Sequence, residues 1–446
     1  MLACGVKPAP SGIDRVELAY ARHWAERPAE CSTFVAQGPM GRWATLPRSG
    51  VADLVAGLTE AWGGRAEDAS EARLKARRIA SGLRLRATLG LGARALGKVF
   101  AQPGPKVFLL VSHRALERQG PIRALRARGC AFVPLIHDLI PATHPEYARP
   151  GQSGRHLRRI GTTAALADGV IVNSAHTALA LSPHLRARAL PPPVLVAPLG
   201  IDPLPSAART AAGPVLPLEP YFITLGTIEP RKNHLLLLHL WRDLVRQQGV
   251  DAPRLLLVGR RGWENENVVD ILERSPSLRG AVHELGSVPD NRVWDLLRGA
   301  RALLFPSFAE GYGLPLAEAL AIGVPAICSD LPALREVGGV VPDYLDPLDG
   351  AGWRDLVQDY AQPDSPARAA QLSRLGGWRA PRWEDHFRRV DALLRRITVR
   401  TALGQLPAQA TPGAALSGAA IGAALTRGIA PGNVSARALV PTQPSS

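Results

Sequence analysis

The sequence predicts an α/β protein with two doubly wound, Rossmann-like domains that face each other across a cleft. Three observations lead to this fold class. Short apolar runs alternate with amphipathic helical segments after residue 100, and the Pro-rich stretch at 191–220 interrupts this series once. Hydrophobic residues make up 46% and charged residues 20% of the 446 residues, as in a globular chain of two or three domains. Strand–helix–strand repeats in two blocks build two parallel sheets with helices on both faces.

The first domain is predicted at residues 1–205. It begins with a Gly-started helix at 11–24, because residues 1–10 leave room for only a poor first strand. Helices are also predicted at 115–128 and 152–167. The buried strands of this domain are predicted at 106–113, 131–138, 169–174 and 194–200.

The second domain is predicted at residues 206–382, followed by a terminal helix at 383–397. Residues 398–446 are rich in Ala, Gly, Pro, Thr and Ser, so they are predicted to form a disordered tail. The strands of the second domain are predicted at 221–226, 254–259, 281–286, 301–307 and 325–330.

Several classes of protein are disfavoured by the sequence. No run of eighteen apolar residues is present, and the N-terminus lacks an apolar stretch of signal-peptide length, so we expect a cytoplasmic protein. The four cysteines are scattered without CxxC spacing, which argues against a disulfide framework or a zinc site. No metal and no cofactor are expected.

Positive charge is concentrated in the first half of the chain. Residues 1–200 contain 27 Lys and Arg against 13 Asp and Glu, whereas the remainder is balanced at 26 against 25. A basic half of a chain attracts the phosphate groups of nucleic acid, anionic lipid or a phosphorylated substrate. Nucleic acid is disfavoured because aromatic residues are only 5% and no helix-turn-helix, RRM or KH signature is present.

The segment at 71–98 holds eight basic residues and one acidic residue. It favours a patch that docks on anionic lipid and holds the protein peripherally at the inner face of the membrane. The alternative is a solvated charged face. Shallow apolar contact is expected from Leu74, Ile79, Leu83 and Leu85, in a helix interrupted at Gly82, Gly90 and Gly92.

The string GTIEPRKNH (226–234) directly follows a predicted strand. Gly226 at the strand end, a short loop and a helix start form a geometry suited to an anion, because the helix amides point at the ligand. Arg231 and Lys232 add two full charges beside those amides. We therefore expect a diphosphate site, with merely solvated surface as the alternative.

A second string, FAEGYGLPLAEALAIGVP (308–325), follows the predicted strand at 301–307. It places Glu310 in a loop and Glu318 in the next helix. Two glycosidase carboxylates face one bond from about 5 to 9.5 Å apart, whereas eight helical residues span about 12 Å. The spacing favours two carboxylates that hold different parts of one extended ligand.

These strings resemble the C-terminal domain of retaining glycosyltransferase family 4, which has the GT-B fold. The Glu, seven residues, Glu motif of that family falls on Glu310 and Glu318. GTIEPRKN and GRRGW are most similar to mannosyltransferase-like members that use GDP-mannose. Upstream, SGIDRVELAY (11–20) and LIHDLIPATHPEY (135–147) resemble the N-terminal glycine loop and the His-containing loop of the family.

The resemblance implies roles for residues of the second domain. Glu310 would bind sugar hydroxyls, Glu318 the ribose, and Arg231 and Lys232 the diphosphate beside Gly226. The segment around Val288 would contact the base. Other sugar hydroxyls would be held by the backbone amides of Gly311, Tyr312 and Gly313.

In the first domain, Gly12 would let the helix start approach the phosphates, and His137 would lie near the transferred sugar. A buried or capping histidine is the alternative for His137. Many family members have arginine where this chain has Thr227, so Arg231 would carry more of the charge.

The resulting hypothesis is a retaining, metal-independent hexosyltransferase with a nucleotide diphosphate sugar as co-substrate. The sugar, by best guess mannose, would pass to a glycan or lipid-linked acceptor in cell-surface polysaccharide or glycolipid assembly. The resemblance implies departure and attack on one face, without a covalent intermediate. A catalytically silent sugar-nucleotide-binding or scaffold protein is the alternative, and a nucleic-acid-binding protein is disfavoured.

Overall fold

The structure is a computed structural model that describes residues 2, 10–38, 41–63, 66–186, 188–202 and 220–404. The predicted domain boundary at 205/206 and most of the predicted tail lie outside these residues. Residues 10–202 form an N-terminal lobe and residues 220–382 a C-terminal lobe, each built on its own sheet. Both lobes belong to one compact unit.

The N-terminal lobe is built around a parallel sheet whose four strands neighbour each other in chain order. They lie where the apolar runs predict them, and the second of them is buried over its whole length. A two-stranded antiparallel hairpin that the sequence did not predict precedes them. The hairpin strands are β1 (Val35–Gln37) and β2 (Trp43–Thr45), and the parallel strands are β3 (Lys106–Leu110), β4 (Cys130–Ile136), β5 (Val170–Val172) and β6 (Val194–Val196).

Eight helices of this lobe are described. The first begins at Gly12 as predicted, because Ser11 and Asp14 form a reciprocal capping box at its start. The helices are α1 (Gly12–Ala25), α2 (Arg48–Gly63), α3 (Ala66–Thr88), α4 (Ala93–Ala101), α5 (Gln119–Arg126), α6 (Ile140–Thr143), α7 (Gln152–Leu166) and α8 (Ala175–Leu185).

The basic segment at 71–98 differs from its prediction in two respects. Helix α3 continues through Gly82, and the interruption occurs only at Gly90 and Gly92, whose φ angles are 68° and 140°. Leu83 is buried against α2, so it is not available for the predicted apolar contact with a membrane. In the described part of the chain, no helix combines the length and the apolar character needed to span a bilayer.

The C-terminal lobe has six parallel strands. Counted along the chain, they lie across the sheet in the order 3-2-1-4-5-6, which is that of dinucleotide-binding Rossmann folds. Only the sixth, a short edge strand, was not predicted. The strands are β7 (Tyr221–Leu225), β8 (Arg254–Val258), β9 (Val282–Gly286), β10 (Leu303–Phe305), β11 (Ala326–Ser329) and β12 (Asp343–Leu345).

Seven helices cover this sheet. They are α9 (His234–Gln248), α10 (Glu266–Arg274), α11 (Asp290–Gly299), α12 (Leu314–Ala321), α13 (Pro332–Gly338), α14 (Gly350–Ala361) and α15 (Pro366–Leu375). The order of strands reverses between β7 and β10, and ligands of such sheets bind outside the carboxyl ends of the strands at this reversal.

The terminal helix α16 (Trp383–Ala402) returns to the N-terminal lobe and extends five residues beyond its predicted end at 397. Its His386 Nε2 lies 2.8 Å from the Tyr20 hydroxyl of α1, and its Ile397 packs where Gly169 has no side chain. One buried apolar cluster contains side chains from α1, α16 and both sheets. The two lobes therefore share a hydrophobic core in this structure.

Candidate active site

The candidate site lies where two loops follow the strands at the reversal of the C-terminal sheet. One loop follows β7 and runs from Gly226 to Asn233; the other follows β10 and runs from Pro306 to Gly313. The N–H of Phe308 donates to the Arg231 carbonyl at 2.9 Å, so the loops are joined to each other. The two strings that the sequence singled out are thus neighbours in space.

A buried carboxylate lies between the two cations of the first loop. Glu310 Oε1 is 2.6 Å from Lys232 Nζ and 2.9 Å from a terminal nitrogen of Arg231. Lys232 Nζ also lies 4.5 Å from the ring centre of Phe305. A side chain at Gly226 (φ 140°) would be 3.3 Å from Lys232 Cε, so glycine leaves the space that the lysine fills.

A second carboxylate, Glu229, holds Arg231 from the other side. Its Oε1 accepts two N–H bonds from the guanidinium, at 2.6 and 3.1 Å, and the Ala309 carbonyl accepts a third at 2.7 Å. Glu229 is 5% exposed. The sequence analysis did not identify it, although its position two residues before Arg231 in the same loop was the available signal.

The electrostatics of this cluster keep Glu310 and Arg231 charged, whereas burial lowers the pKa of Lys232. Burial favours a neutral Glu310, but the Arg231 and Lys232 cations overcome this and lower the pKa of Glu310 to about 2. Burial also opposes the charge on Arg231, yet Glu310 and Glu229 raise the pKa of Arg231 above its usual value. Glu310 is therefore an ionised hydrogen-bond acceptor at every working pH.

The loop after β10 presents free backbone donors. In the part of the chain that the structure describes, no group accepts a hydrogen bond from the N–H of Gly311, Tyr312 or Gly313. Gly313 has φ 106° and precedes α12, an arrangement that exposes successive amides to a ligand. The Tyr312 side chain is buried, and its hydroxyl donates to the Leu199 carbonyl at 2.7 Å. The backbone N–H is thus the part of Tyr312 that remains available to a ligand.

The N-terminal lobe closes over this loop at the end of β4. A side chain at Gly311 would lie 2.7 Å from both the His137 carbonyl oxygen and Asp138 Cβ, so only glycine fits. His137 is 5% exposed, its Nε2 lies 3.0 Å from the Val111 carbonyl, and burial lowers its pKa. With Nε2 bonded in this way, Nδ1 is the ring nitrogen left for a ligand.

Glu318, on α12, belongs to a second group of charges next to α1. Burial raises the pKa of Glu318 to about 7, although the nearby Arg15 opposes this. Arg15 makes two hydrogen bonds to Asp290, at 2.7 and 2.8 Å, and so joins α1 to the start of α11. Val288, two residues before Asp290, is half-buried against the shared core.

Gly12 also faces this region, since a side chain there would lie 3.3 Å from Leu314 at the start of α12. Each predicted site residue of the first domain therefore lies beside the loop or helix that follows β10. Glu310 and Glu318 belong to different charged groups, one with Arg231 and Lys232 and the other with Arg15 and Asp290.

Two aromatic contacts also join the lobes near the site. Tyr147 stacks on Phe308 with ring centres 5.4 Å apart and an angle of 5°. The Arg149 guanidinium lies 4.8 Å from the ring centre of Trp263. The sequence offered no signal for the contact between Arg149 and Trp263. Within the described ranges, no three His, Cys, Asp or Glu side chains are grouped as a metal site.

Comparison with known proteins adds a family to this geometry. Residues 215–339 match the family model described as glycosyl transferases group 1. The matched segment contains both loops and the Glu310–Lys232–Arg231 cluster.

The chain is also similar to curated proteins. The chain is 36% identical over 165 residues to the O-antigen chain mannosyltransferase B of Escherichia coli, covering 37% of this chain and 43% of that protein. It is 30% identical over 242 residues to the serotype-specific mannosyltransferase WbdA of Escherichia coli, covering 51% of this chain and 29% of that protein. The chain thus spans less than half the length of these relatives.

The fold has a solved counterpart. Sucrose-phosphate synthase from Thermosynechococcus elongatus superposes with a TM-score of 0.50 at 18% identity, over 69% of this chain and 77% of that one. The chain therefore has the GT-B fold, with two Rossmann-like lobes facing a cleft, as the sequence predicted.

Proposed function

We propose that the chain is a retaining glycosyltransferase that transfers mannose from GDP-mannose to a hydroxyl of a glycan or lipid-linked acceptor. The observation that carries the proposal is the buried cluster of Glu310, Lys232 and Arg231 at the strand reversal of a glycosyl transferase domain. The mannosyltransferase names of the relatives support the choice of sugar, and O-antigen in one name supports a role in cell-surface polysaccharide assembly.

The leaving group decides what the site must do. A nucleoside diphosphate departs with increasing negative charge, so catalysis depends on positive groups placed where that charge develops. Lys232, Arg231 and the free amides before α12 provide such groups in a buried site. Glu310 would accept bonds from sugar hydroxyls, and His137 would contact the transferred sugar from the opposite lobe.

The proposed mechanism has departure and attack on the same face of the sugar, without a covalent enzyme intermediate. Asp138 is a carboxylate of the N-terminal lobe beside Gly311, but its Oδ1 already accepts the Ile140 N–H at 3.1 Å. That bond suits a residue that caps a turn. The configuration of the product distinguishes this mechanism from one in which Asp138 activates the acceptor with inversion.

The first test of the function is a thermal-shift panel of nucleotide sugars. A donor present at 100 times its dissociation constant should stabilise the protein by about 2.7 kcal/mol, and nucleotide sugars that do not bind should have no effect. We expect GDP-mannose to give the largest shift. No shift with any nucleotide sugar would contradict the proposed site.

Hydrolysis of the donor without acceptor separates the enzyme from a silent sugar-nucleotide-binding or scaffold protein. The transferase should release GDP slowly, whereas a silent protein should bind GDP-mannose and release none. A gel shift with DNA or RNA that vanishes at moderate salt would remove the nucleic-acid-binding alternative.

We predict that GDP binding weakens as the pH falls through about 7. Glu318 would accept hydrogen bonds from the ribose best when ionised, and its pKa is raised to about 7. The loss should reach up to about tenfold per pH unit below that value. Titration calorimetry from pH 5.5 to 8.5 measures it, with Glu318→Gln expected to bind weakly and without this pH dependence.

The raised pKa of Glu318 also affects the stability of the folded protein. Because the pKa of Glu318 is higher folded than unfolded, the stability it contributes at low pH is lost as the pH rises through about 7. Glu318→Gln should therefore raise the Tm of the donor-free protein at pH 8. Glu60→Gln, on an exposed position of α2, is the control and should change neither property. Unaltered pH dependence in Glu318→Gln would contradict the assignment.

Activity is predicted to survive EDTA. The positive charge opposite the diphosphate would come from Arg231, Lys232 and helix amides, so the leaving group needs no divalent cation. EDTA at about 5 to 10 mM exceeds the concentration of trace metal. Turnover measured in its presence should equal turnover without it. Complete loss on chelation that manganese restores would contradict this prediction.

Reversible binding to anionic vesicles is predicted for helix α3. Its outer side combines exposed leucines with exposed basic residues: Leu74, Lys75, Arg77, Arg78, Leu85 and Arg86. Each basic residue near an anionic surface contributes about 1 kcal/mol. Co-sedimentation with phosphatidylglycerol vesicles should be strong at low salt and decrease as ionic strength rises.

The variant for this prediction uses three exposed arginines of α3. Arg73 is half-buried and Arg84 donates to the Leu2 carbonyl, so they are left unchanged. Reversing Arg77, Arg78 and Arg86 to Glu should abolish vesicle binding and spare donor hydrolysis. The matched control reverses three exposed arginines of the other lobe: Arg242, Arg274 and Arg279. Equal loss in both triple variants would indicate only a general effect of net charge.

A further inference from the structure

The start of helix α8 touches the sugar-side loop of the opposite lobe. Ser174 Oγ donates to the Gly311 carbonyl at 2.7 Å, and Thr177 Oγ1 lies 3.3 Å from the same oxygen. Both side chains are 1% exposed. Two hydroxyls of the N-terminal lobe therefore meet one carbonyl of the loop after β10.

That carbonyl belongs to the peptide whose N–H is contributed by Tyr312. In a trans peptide the C=O and N–H point in opposite directions, so a hydroxyl that fixes the Gly311 carbonyl also fixes the direction of the Tyr312 N–H. This N–H has no acceptor among the residues that the structure describes. A hydrogen bond accepted by the carbonyl also strengthens the N–H as a donor.

The two hydroxyls are themselves held in place. Asn173 Nδ2 donates to the His137 carbonyl at 2.9 Å, and Asn173 Oδ1 lies 3.2 Å from Thr177 Oγ1. This short network connects the end of β4 with the Gly311 carbonyl. It joins the two backbone segments that face each other where a transferred sugar would lie.

A second contact holds helix α8 against the C-terminal lobe. The Glu336 carboxylate accepts the N–H groups of Ala175 and His176, at 2.6 and 2.7 Å. A carboxylate at a helix N-terminus is favourable because of the unsatisfied amides and the helix dipole there. Both contacts form between lobes, so they exist only when the lobes are as close as in this structure.

We propose that Ser174, supported by Thr177 and Asn173, is a positioning residue that aims the Tyr312 N–H at the donor sugar when the lobes close. The proposal rests on the proposed function and deepens it. The hydroxyl acts on the sugar part of the donor only, because the diphosphate and ribose would be held by Lys232 and Glu318. Lobe closure and sugar recognition are thereby coupled through one peptide group.

The test compares GDP-mannose with GDP in the full chain. Ser174→Gly removes the hydroxyl but keeps a residue that helix N-caps accept at little cost. It should weaken GDP-mannose binding, or lower kcat with GDP-mannose, by about tenfold, and leave GDP affinity unchanged. Thr177→Val, which keeps the volume and removes the second hydroxyl, should give a smaller loss in the same direction.

Ser365 provides the matched control. It is 3% exposed, caps α15 and accepts the Arg368 N–H at 3.0 Å, as Ser174 accepts the Thr177 N–H at 3.0 Å. Ser365→Gly should lower thermal stability as Ser174→Gly does, without altering the ratio of GDP-mannose to GDP affinity.

Two results would overturn the inference while leaving the proposed function intact. One is a Ser174→Gly protein whose kcat and binding of both ligands equal those of wild type. The other is an equal loss of GDP and GDP-mannose affinity, because a merely structural role predicts that result. A wild-type protein that binds no nucleotide sugar would overturn the proposed function and this inference together.

Discussion

Lys232→Ala is expected to lower the turnover of GDP-mannose by at least about 100-fold, the scale of losing one donor that stabilises an oxyanion. The lysine is buried, with its Nζ 2.6 Å from Glu310 and 4.5 Å from the ring centre of Phe305. Its charge matters most as the diphosphate leaves, because negative charge increases there in the transition state.

The kinetic pattern is as informative as the size of the loss. If Lys232 acts mainly on the leaving diphosphate, kcat should fall more than the affinity for GDP-mannose. Steady-state rates of GDP release measure both quantities. Lys106→Ala is the control, since Lys106 bonds carbonyls at the start of β3 outside the cleft. Normal turnover in Lys232→Ala would exclude the assigned role.

Glu310→Gln is expected to lower turnover by a similar factor and to destabilise the donor-free protein. Breaking a buried ion pair by removing one partner costs about 3 to 5 kcal/mol, because the remaining charge stays buried. Here two cations lose a shared carboxylate, while Glu229 remains hydrogen-bonded to Arg231. Differential scanning calorimetry should show the loss as a lower Tm.

This variant also makes a prediction that a simple folding defect does not. A bound diphosphate would supply the negative charge that Glu310→Gln lacks, so GDP should raise the Tm of the variant more than that of wild type. Turnover should stay low, because an amide binds sugar hydroxyls and balances charge less well than an ionised carboxylate. Equal GDP shifts in both proteins would show that the diphosphate does not reach the Lys232 cluster.

Most of the architecture was predictable because the buried strands are continuous apolar runs. Parallel strands covered on both faces have this pattern, and the nine predicted strands lie where the runs are. The three missed strands, β1 (VAQ), β2 (WAT) and β12 (DYL), contain polar residues and do not belong to continuous apolar runs. The interruption of the basic segment was predicted correctly at Gly90, before which α3 ends, and wrongly at Gly82, through which α3 continues.

The candidate site was predictable to the extent that it is local in sequence. Gly226, Arg231 and Lys232 lie in one loop, and Glu310 to Gly313 lie in another, so the strings alone indicated a ligand. The structure adds that the loops touch and that Glu310 forms ion pairs with both cations of the first loop. Sequence spacing did not indicate that pairing.

The contacts between lobes were beyond sequence reasoning. Arg15 and Asp290 are 275 residues apart, and Ser174 and Gly311 are 137 residues apart. Nothing in either local pattern identifies its partner, because the pairing depends on how the lobes face each other. In the structure Ser174 caps α8 and donates to the Gly311 carbonyl, two roles that its position at the end of a predicted strand does not reveal.

The proposed function is the transfer of mannose from GDP-mannose with retention of configuration. The most direct measurement follows purified protein and GDP-mannose by ¹H NMR, with water as the slow acceptor and Lys232→Ala as the control. We predict release of GDP with α-mannose as the first anomer detected, and at least about 100-fold slower release by the variant. β-Mannose as the first product would contradict retention, and no release of GDP by the wild-type protein would contradict transfer itself.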